Sequence, residues 1–329
     1  MPAVAVVSLL TLSNLSFARI NNNDCHQVLQ GKKINLMVPL APGGMFDLTA
    51  RALVEPIANR TDARVSVTNN PSLGGLLVLR GALDKNQHEI RLALFSSKGL
   101  LEIAEKNKID WSSQVTPLMT YMSDETLWLA KKSNQKIISD YSQFTISGSI
   151  ADELEAKTLG YLFAKPFKMV TGYTGSAEYA AAVLRGEVIF FGPSRMAAVR
   201  IMKSGDFEIT LALSDKPLKD FPGAPYLSGV GGVLEGMQLT SKDLEKRNRV
   251  ANHLNRIARS DRMVFISKHH PIQLQQCVEE VVSQSFKDPL FLQKMSKLPL
   301  QLLDERSSAS LARLKETDQS LRYLRQLLN

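Results

Sequence analysis

The sequence predicts an α/β protein made of two similar halves, and three observations carry that expectation. Short apolar strands alternate with amphipathic helices from residue 34 onward. The segments between them are repeatedly built from small residues: "APGG", "NPSLGG", "SSKG", "SGS", "YTGS" and "GPS". The order strand, small-residue loop, helix, strand occurs over 34–68 and again from about residue 144. A chain of 329 residues is long enough for two domains.

The elements follow in order. "AVAVVSLLTL" is an apolar run too short for a ~20-residue membrane span. Ser16-Phe17-Ala18 has the small-x-small form of a cleavage site after Ala18. Residues 1–18 are therefore expected to be a signal peptide, although no Lys or Arg precedes the apolar run. A buried N-terminal strand or helix is the alternative. Residues 19–31 read as a polar leader. "INLMVPL" is a buried strand, and Phe46, Ala50, Leu53, Val54 and Ile57 share one helix face after it. "RVSVTN" alternates as a strand, "LLVLRGAL" is a short helix and "EIRLALF" a strand. "VTPLMTYM" and "ETLWLA" are strand-like, and "KKSNQK" reads as a crossing between domains.

In the second half "FTIS", "KMVTGY", "EVIFFG" and "FEITLAL" read as strands. "ADELEAKTLGYLFA", "AEYAAAVL" and "SRMAAVRIM" read as helices. A Pro/Gly-rich connector and a charged helical stretch over 240–261 follow. "RMVFIS" is a returning strand, and three helices complete the chain, with Pro271 and Pro289 expected in first turns. Leu311, Leu314, Leu321, Leu324 and Leu328 lie on a broadly common face of the last helix.

Composition narrows the function classes. With 44% hydrophobic and 22% charged residues the chain reads as globular rather than disordered. The net charge of +8 favours anionic partners in general. The basic residues are scattered and aromatics make up 7%, which argues against a nucleic-acid surface. Cys25 and Cys277 can bridge or stay free; sequence does not decide between the two. The five histidines and the cysteines lack metal-ligand spacing.

In open α/β sheets ligands bind on the loops beyond the carboxyl ends of the strands. Glycine lets a backbone approach a ligand, and Ser and Thr add hydroxyl donors. Six such loops, including Ser96 and Ser97 of "SSKG", describe a polar cleft suited to a carboxylate. "APGGMFD" is neither a dinucleotide fingerprint nor a phosphate-binding loop. Asp47 at the helix start disfavours a polyphosphate. It reads as an N-cap or as a ligand contact. Tyr173 reads equally as a packed aromatic or a ligand contact, and Trp111 and Trp128 as core. No nucleophile elbow or acid–base pair is identifiable, so no catalysis and no cofactor are expected.

Four blocks, "INLMVPLAPGGMFDLTARALVEPI", "VTNNPSLGGLLVLRGAL", "YTGSAEYAAAVLRGEVIFF" and "LALSDKPLKDFPGAPYL", occur in this order over most of residues 34–226. Together they resemble the solute receptors of tripartite tricarboxylate transporters, the Bordetella uptake gene family. The resemblance implies a two-domain Venus-flytrap protein of the periplasm. Such a protein closes on a small mono-, di- or tricarboxylate and passes it to membrane permease subunits. It implies ligand contacts from Pro42, Gly43, Gly44, Phe46 and Asp47, with Leu73, Gly74 and Gly75. From the second domain it implies Ser147, Gly148, Ser149, Tyr173, Thr174, Gly175 and Ser194.

The chain departs from the family pattern at Pro193 and Ile189, where the family carries aspartates. Residues 234–260 look like an insertion. The domain plan expected is a first part over 19–125, a second domain over 126–226 and a connector or insertion over 227–260. Residues 261–329 are expected to return to the first domain and brace both. A monomer without nucleic-acid or metal partners is expected. The alternatives are a diverged receptor serving as sensor or scaffold partner of a membrane protein, and an α/β enzyme.

Overall fold

The computed structural model describes residues 22–85, 88–132, 140, 142, 144–148, 153–173, 175–259, 261–296, 298 and 301–328. The expected signal peptide lies outside the described residues. The described residues begin with α1 (Asn22–Leu29), β1 (Lys33–Val38), α2 (Met45–Thr61), β2 (Arg64–Asn69), a single 3-10 turn (Ser72–Gly75) and α3 (Leu76–Leu83). β3 (Ile90–Ser96), α4 (Ser97–Lys106), α5 (Trp111–Gln114), β4 (Val115–Met122) and β5 (Leu127–Lys131) follow. Then come β6 (Phe144–Ser147), α6 (Glu153–Phe163), β7 (Phe167–Val170), α7 (Ser176–Leu184), β8 (Phe190–Phe191), α8 (Arg195–Met202) and β9 (Phe207–Ala212). The chain closes with α9 (Ser241–Ala258), β10 (Arg262–Ser267), α10 (Ile272–Phe286), α11 (Pro289–Met295), β11 (Leu302–Arg306) and α12 (Ser307–Leu328).

Two sheets flanked by helices organise these elements, in strand order β11-β4-β10-β3-β1-β2 and β7-β6-β8-β5-β9. β1 pairs in parallel with β2 and β3, as β6 does with β7 and β8. β10 runs antiparallel to β3 and β4, and β5 antiparallel to β8 and β9. The recurrence in the sequence is thus one topology used twice, β2-β1-β3-β10-β4 matching β7-β6-β8-β5-β9. β5 and β10, the antiparallel strands inserted beside β8 and β3, each follow a crossing from the other lobe. β5 enters through Ser123–Thr126, and β10 returns after α9. The crossing lies ahead of "KKSNQK", because Lys131 already belongs to β5.

Central β1 is buried from Ile34 through Val38, as a parallel strand covered on both faces must be. α2 sets Ala50, Leu53 and Ile57 against it. α9 carries many charges, yet Val250, Ala251, Leu254, Ile257 and Ala258 form a buried helical stripe. That stripe packs on α6 and α12, so the stretch read as connector or insertion contributes a core helix. α12 lies against β4 and α4 of the first lobe and α6 and α9 of the second. Trp111 and Trp128 are buried.

Several local expectations change. The polar leader contains α1, whose Cys25 and Leu29 are buried. Cys25 is bonded to Cys277 of α10 across 252 residues, with the Cα atoms 4.9 Å apart. α4 was hidden in "SSKG", although Leu100, Leu101 and Ala104 have helical spacing. β11 is a charged edge strand, "LLDER", without an apolar alternation to betray it. Pro289 opens α11, whereas Pro271 sits one position before α10, as its N-cap. No described helix is long and apolar enough to cross a membrane.

Candidate functional site

Strand order reverses at β1 in one lobe and at β6 in the other. Crevices open at such points, beyond the carboxyl ends of the strands. The small-residue loops follow β1, β2, β3, β6, β7 and β8, so the topology sends them toward the space between the lobes.

In the first loop Gly43 holds a left-handed φ of +86°, and Gly44 is the N-cap of α2. Asp47 is the third residue of α2, not its N-cap. Its carboxylate, 3% exposed, accepts the Gly43 amide at 2.9 Å and Arg51 Nε at 2.9 and 3.0 Å. Burial pushes this carboxyl up, but hydrogen bonds from Arg51, Gly43 and Asn69 outweigh burial and hold it below its ordinary value. The Gly43 amide is therefore engaged within the loop. Among the described residues no acceptor meets the amides of Gly44, Met45 and Phe46, which leaves them as the free donors of the helix start. Pro42, Gly43 and Gly44 are exposed and Phe46 is half-buried.

The second loop leans on the first. Leu73, Gly74 and Gly75 take successive left-handed conformations with φ of 53°, 64° and 93°. A Cβ on Gly75 would stand 2.6 Å from Pro39 Cβ, so glycine alone allows this approach. Asn69 Nδ2 donates to the Leu40 carbonyl at 3.1 Å, and the Asn70 amide to the Val38 carbonyl at 2.9 Å. Leu73 projects into solvent.

After β3, the Ser96 hydroxyl caps α4 by accepting the Gly99 amide at 3.1 Å. Ser97 Oγ is buried without a hydrogen-bond partner. Lys98 reaches across the lobes, with Nζ 2.6 Å from Glu155 Oε1 of α6 and both side chains largely buried.

On the second lobe Ser147 is buried, its hydroxyl 3.5 Å from the Tyr179 carbonyl, and the Gly148 amide donates to Val170. Tyr173 packs edge-on against Tyr179 and donates its hydroxyl to Glu187 at 2.6 Å. Gly175 precedes α7, and Ser194 precedes α8 and bridges to Thr126. Ser149 and Thr174 lie outside the described residues.

The structure adds a buried charged cluster at the crossings. Arg262 opens β10 in register with Ser96, the last residue of β3. Its guanidinium lies 5.7 Å from the Phe46 ring centroid, 3.4 Å from Ser194 Oγ and 3.8 Å from the Asp124 carboxylate, and it also contacts the Met122 sulfur. Arg195 is buried as well and pairs with Asp220. Burial raises the Asp124 carboxyl above its ordinary value, partly offset by Arg262 and Arg195. Sequence gave no sign of this cluster. The first residue of "RMVFIS" joins this cluster only because β10 is inserted antiparallel beside β3. Lys98 was within sight, one residue beyond Ser97.

Neither a protein-family model nor a curated protein matches the chain in sequence. Solved structures match over nearly its whole length. A TctC solute-binding protein from Polaromonas is 13% identical at a TM-score of 0.62, over 89% of this chain and 98% of that one. The periplasmic binding protein BugD is 16% identical at 0.66, over 90% and 97%. MatC from Rhodopseudomonas palustris, solved with bound malate, is 15% identical at 0.66, over 91% and 99%. The resemblance read from the ordered loops thus holds in the fold: this chain has the two-domain architecture of the TctC and Bug solute-binding proteins.

Proposed function

We propose that the chain is a divergent member of the TctC and Bug receptors. In this reading it is exported to the periplasm, captures a small organic carboxylate between its lobes and delivers it to permease subunits of a tripartite tricarboxylate-type transporter. The observation that carries this reading is the seating of Gly75 against Pro39. It joins two glycine loops at the helix start where the Gly44, Met45 and Phe46 amides are free. Donors fixed in this way suit an anion. The Ser194 loop approaches from the other lobe, and closure of the two lobes would complete the enclosure. The malate in MatC supports a carboxylate. The Cys25–Cys277 bond supports an oxidising compartment. Capture and release need no bond-making residue, in keeping with a receptor rather than an enzyme.

Melting in the presence of mono-, di- and tricarboxylates tests the reading. A ligand at roughly 100-fold over its Kd adds about 2.7 kcal/mol of stability. At least one carboxylate should raise the melting temperature, and a flat response across the panel contradicts the proposal.

A further inference from the structure

At the end of the first-lobe sheet away from the glycine loops lies a cavity of about 400 Å³. The topology sets its position. Lys33 opens β1 and Ile90 opens β3, and the two strands run in parallel with Ile34 opposite Ile90. Antiparallel β10 ends on the same side, just before His270 and α10. The glycine loops follow the opposite ends of β1 and β2. Six residues of strand, roughly 20 Å, therefore separate them from this cavity.

The wall combines two chemistries. Val28 of α1, Ile90 and Leu274 of α10 line the cavity with apolar surface and pack on the first-lobe core. Lys32, Lys33 and His88 stand exposed at its rim. Glu89, an acid in the wall, is turned to Arg91 Nε at 2.9 Å. Asp62, on the neighbouring turn, meets His26 at 3.2 Å. Among the described residues neither Lys32 nor Lys33 forms an ion pair. His270 Nε2 is closed to solvent, and burial with the neighbouring His269 holds this imidazole below its ordinary value. It is neutral at pH 7, so the lysines supply the charge of the rim.

The cavity is also braced. Val28 lies three residues from Cys25, and Leu274 three from Cys277, so each apolar wall is one helical turn from the disulfide. Walls tied in this way lose little freedom when a ligand enters. A space of this size, largely apolar with a few polar groups, is of the kind that holds a small molecule.

We infer that this cavity is a second binding site, for a small amphipathic anion. Its ligand is an aliphatic or aromatic acid whose apolar body lies on Val28, Ile90 and Leu274 and whose head meets Lys32 and Lys33. The site stands apart from the interlobe cleft and does not depend on what the cleft holds.

Calorimetry with octanoate and 2-naphthoate, and with their amides as neutral counterparts, tests it. The wild type should bind at least one of the acids and prefer it to its amide by roughly fivefold or more. Binding should survive in Gly75→Ala, which parts the loops of the cleft. It should weaken by a similar factor in Lys32→Gln/Lys33→Gln. Both lysines are exposed, so the double variant should melt within about 2 °C of the wild type. On the wild type the bound acid should slow acetylation of Lys32 and Lys33, read by mass spectrometry, and leave exposed Lys242 of α9 unaffected. Acid binding that is unchanged in the lysine variant, or lost in a folded Gly75→Ala, overturns the assignment. So does a wild type that binds neither acid. If either variant melts too low to assay, acetylation decides: equal rates with and without the acid overturn the site.

Discussion

The Asp47 carboxylate accepts the Gly43 amide at 2.9 Å and is gripped by Arg51 at the same distance, so the acid of the glycine loop is turned onto its own backbone. The aspartate at the start of α2 shapes the loop and is paired with Arg51 there. Asp47→Ala should destabilise the protein at pH 7 by about 1–2 kcal/mol. The folded-state pKa lies below the ordinary 3.8, so this contribution is complete above the unfolded value. It is lost as the pH falls through the lower, folded one. Melting curves should therefore show a gap between wild type and variant at pH 7 that narrows below about pH 4. An undiminished gap in acid contradicts the ionic origin.

Gly75 and Gly44 should respond differently to alanine. At Gly75 the φ of +93° and the 2.6 Å approach to Pro39 both oppose a side chain. Gly75→Ala should cost about 2–4 kcal/mol and push the two glycine loops apart. At Gly44 the backbone is extended and a Cβ would come no closer than 3.7 Å to Ala41 O, an ordinary contact. Gly44→Ala should fold with nearly wild-type stability. Denaturant titration of the two variants checks the contrast.

Reducing the Cys25–Cys277 bond removes the covalent tie between α1 and α10, which also pack against each other. A cross-link spanning 252 residues constrains the unfolded chain strongly, and the paired Cys→Ser variant should lose about 2–4 kcal/mol. Calorimetry with and without reductant measures the difference in the wild type and should find none in the variant.

Lys98 and Glu155 join the lobes through a largely buried pair. Glu155→Ala leaves the ammonium without this carboxylate and should cost about 3 kcal/mol. Small-angle scattering should show a larger radius of gyration as the lobes part. An unchanged radius would mean that the pair does not hold them together.

Most of the fold was legible because it rests on local periodicity. α3 spans the same residues as "LLVLRGAL", and the repeated strand–loop–helix order became the shared topology of the lobes. The segments that escaped are those set by tertiary contact. α1 is short and mostly polar, and it is fixed by packing on α10 and α2 together with the disulfide, while β11 pairs only along an edge. The candidate site was legible only where backbone chemistry writes itself into sequence, as glycines at Gly43, Gly74 and Gly75. Arg262, Arg195 and Asp124 come together through two chain crossings, and no spacing along the chain records that meeting.

The central claim is that the cleft holds an organic carboxylate, and native mass spectrometry of the protein isolated under non-denaturing conditions tests it most directly. The account predicts one small acid per chain, released on activation with a mass matching a carboxylate, and lost from Gly75→Ala. A chain that carries a nucleotide, or that remains bare after incubation with every carboxylate of the panel, would contradict it.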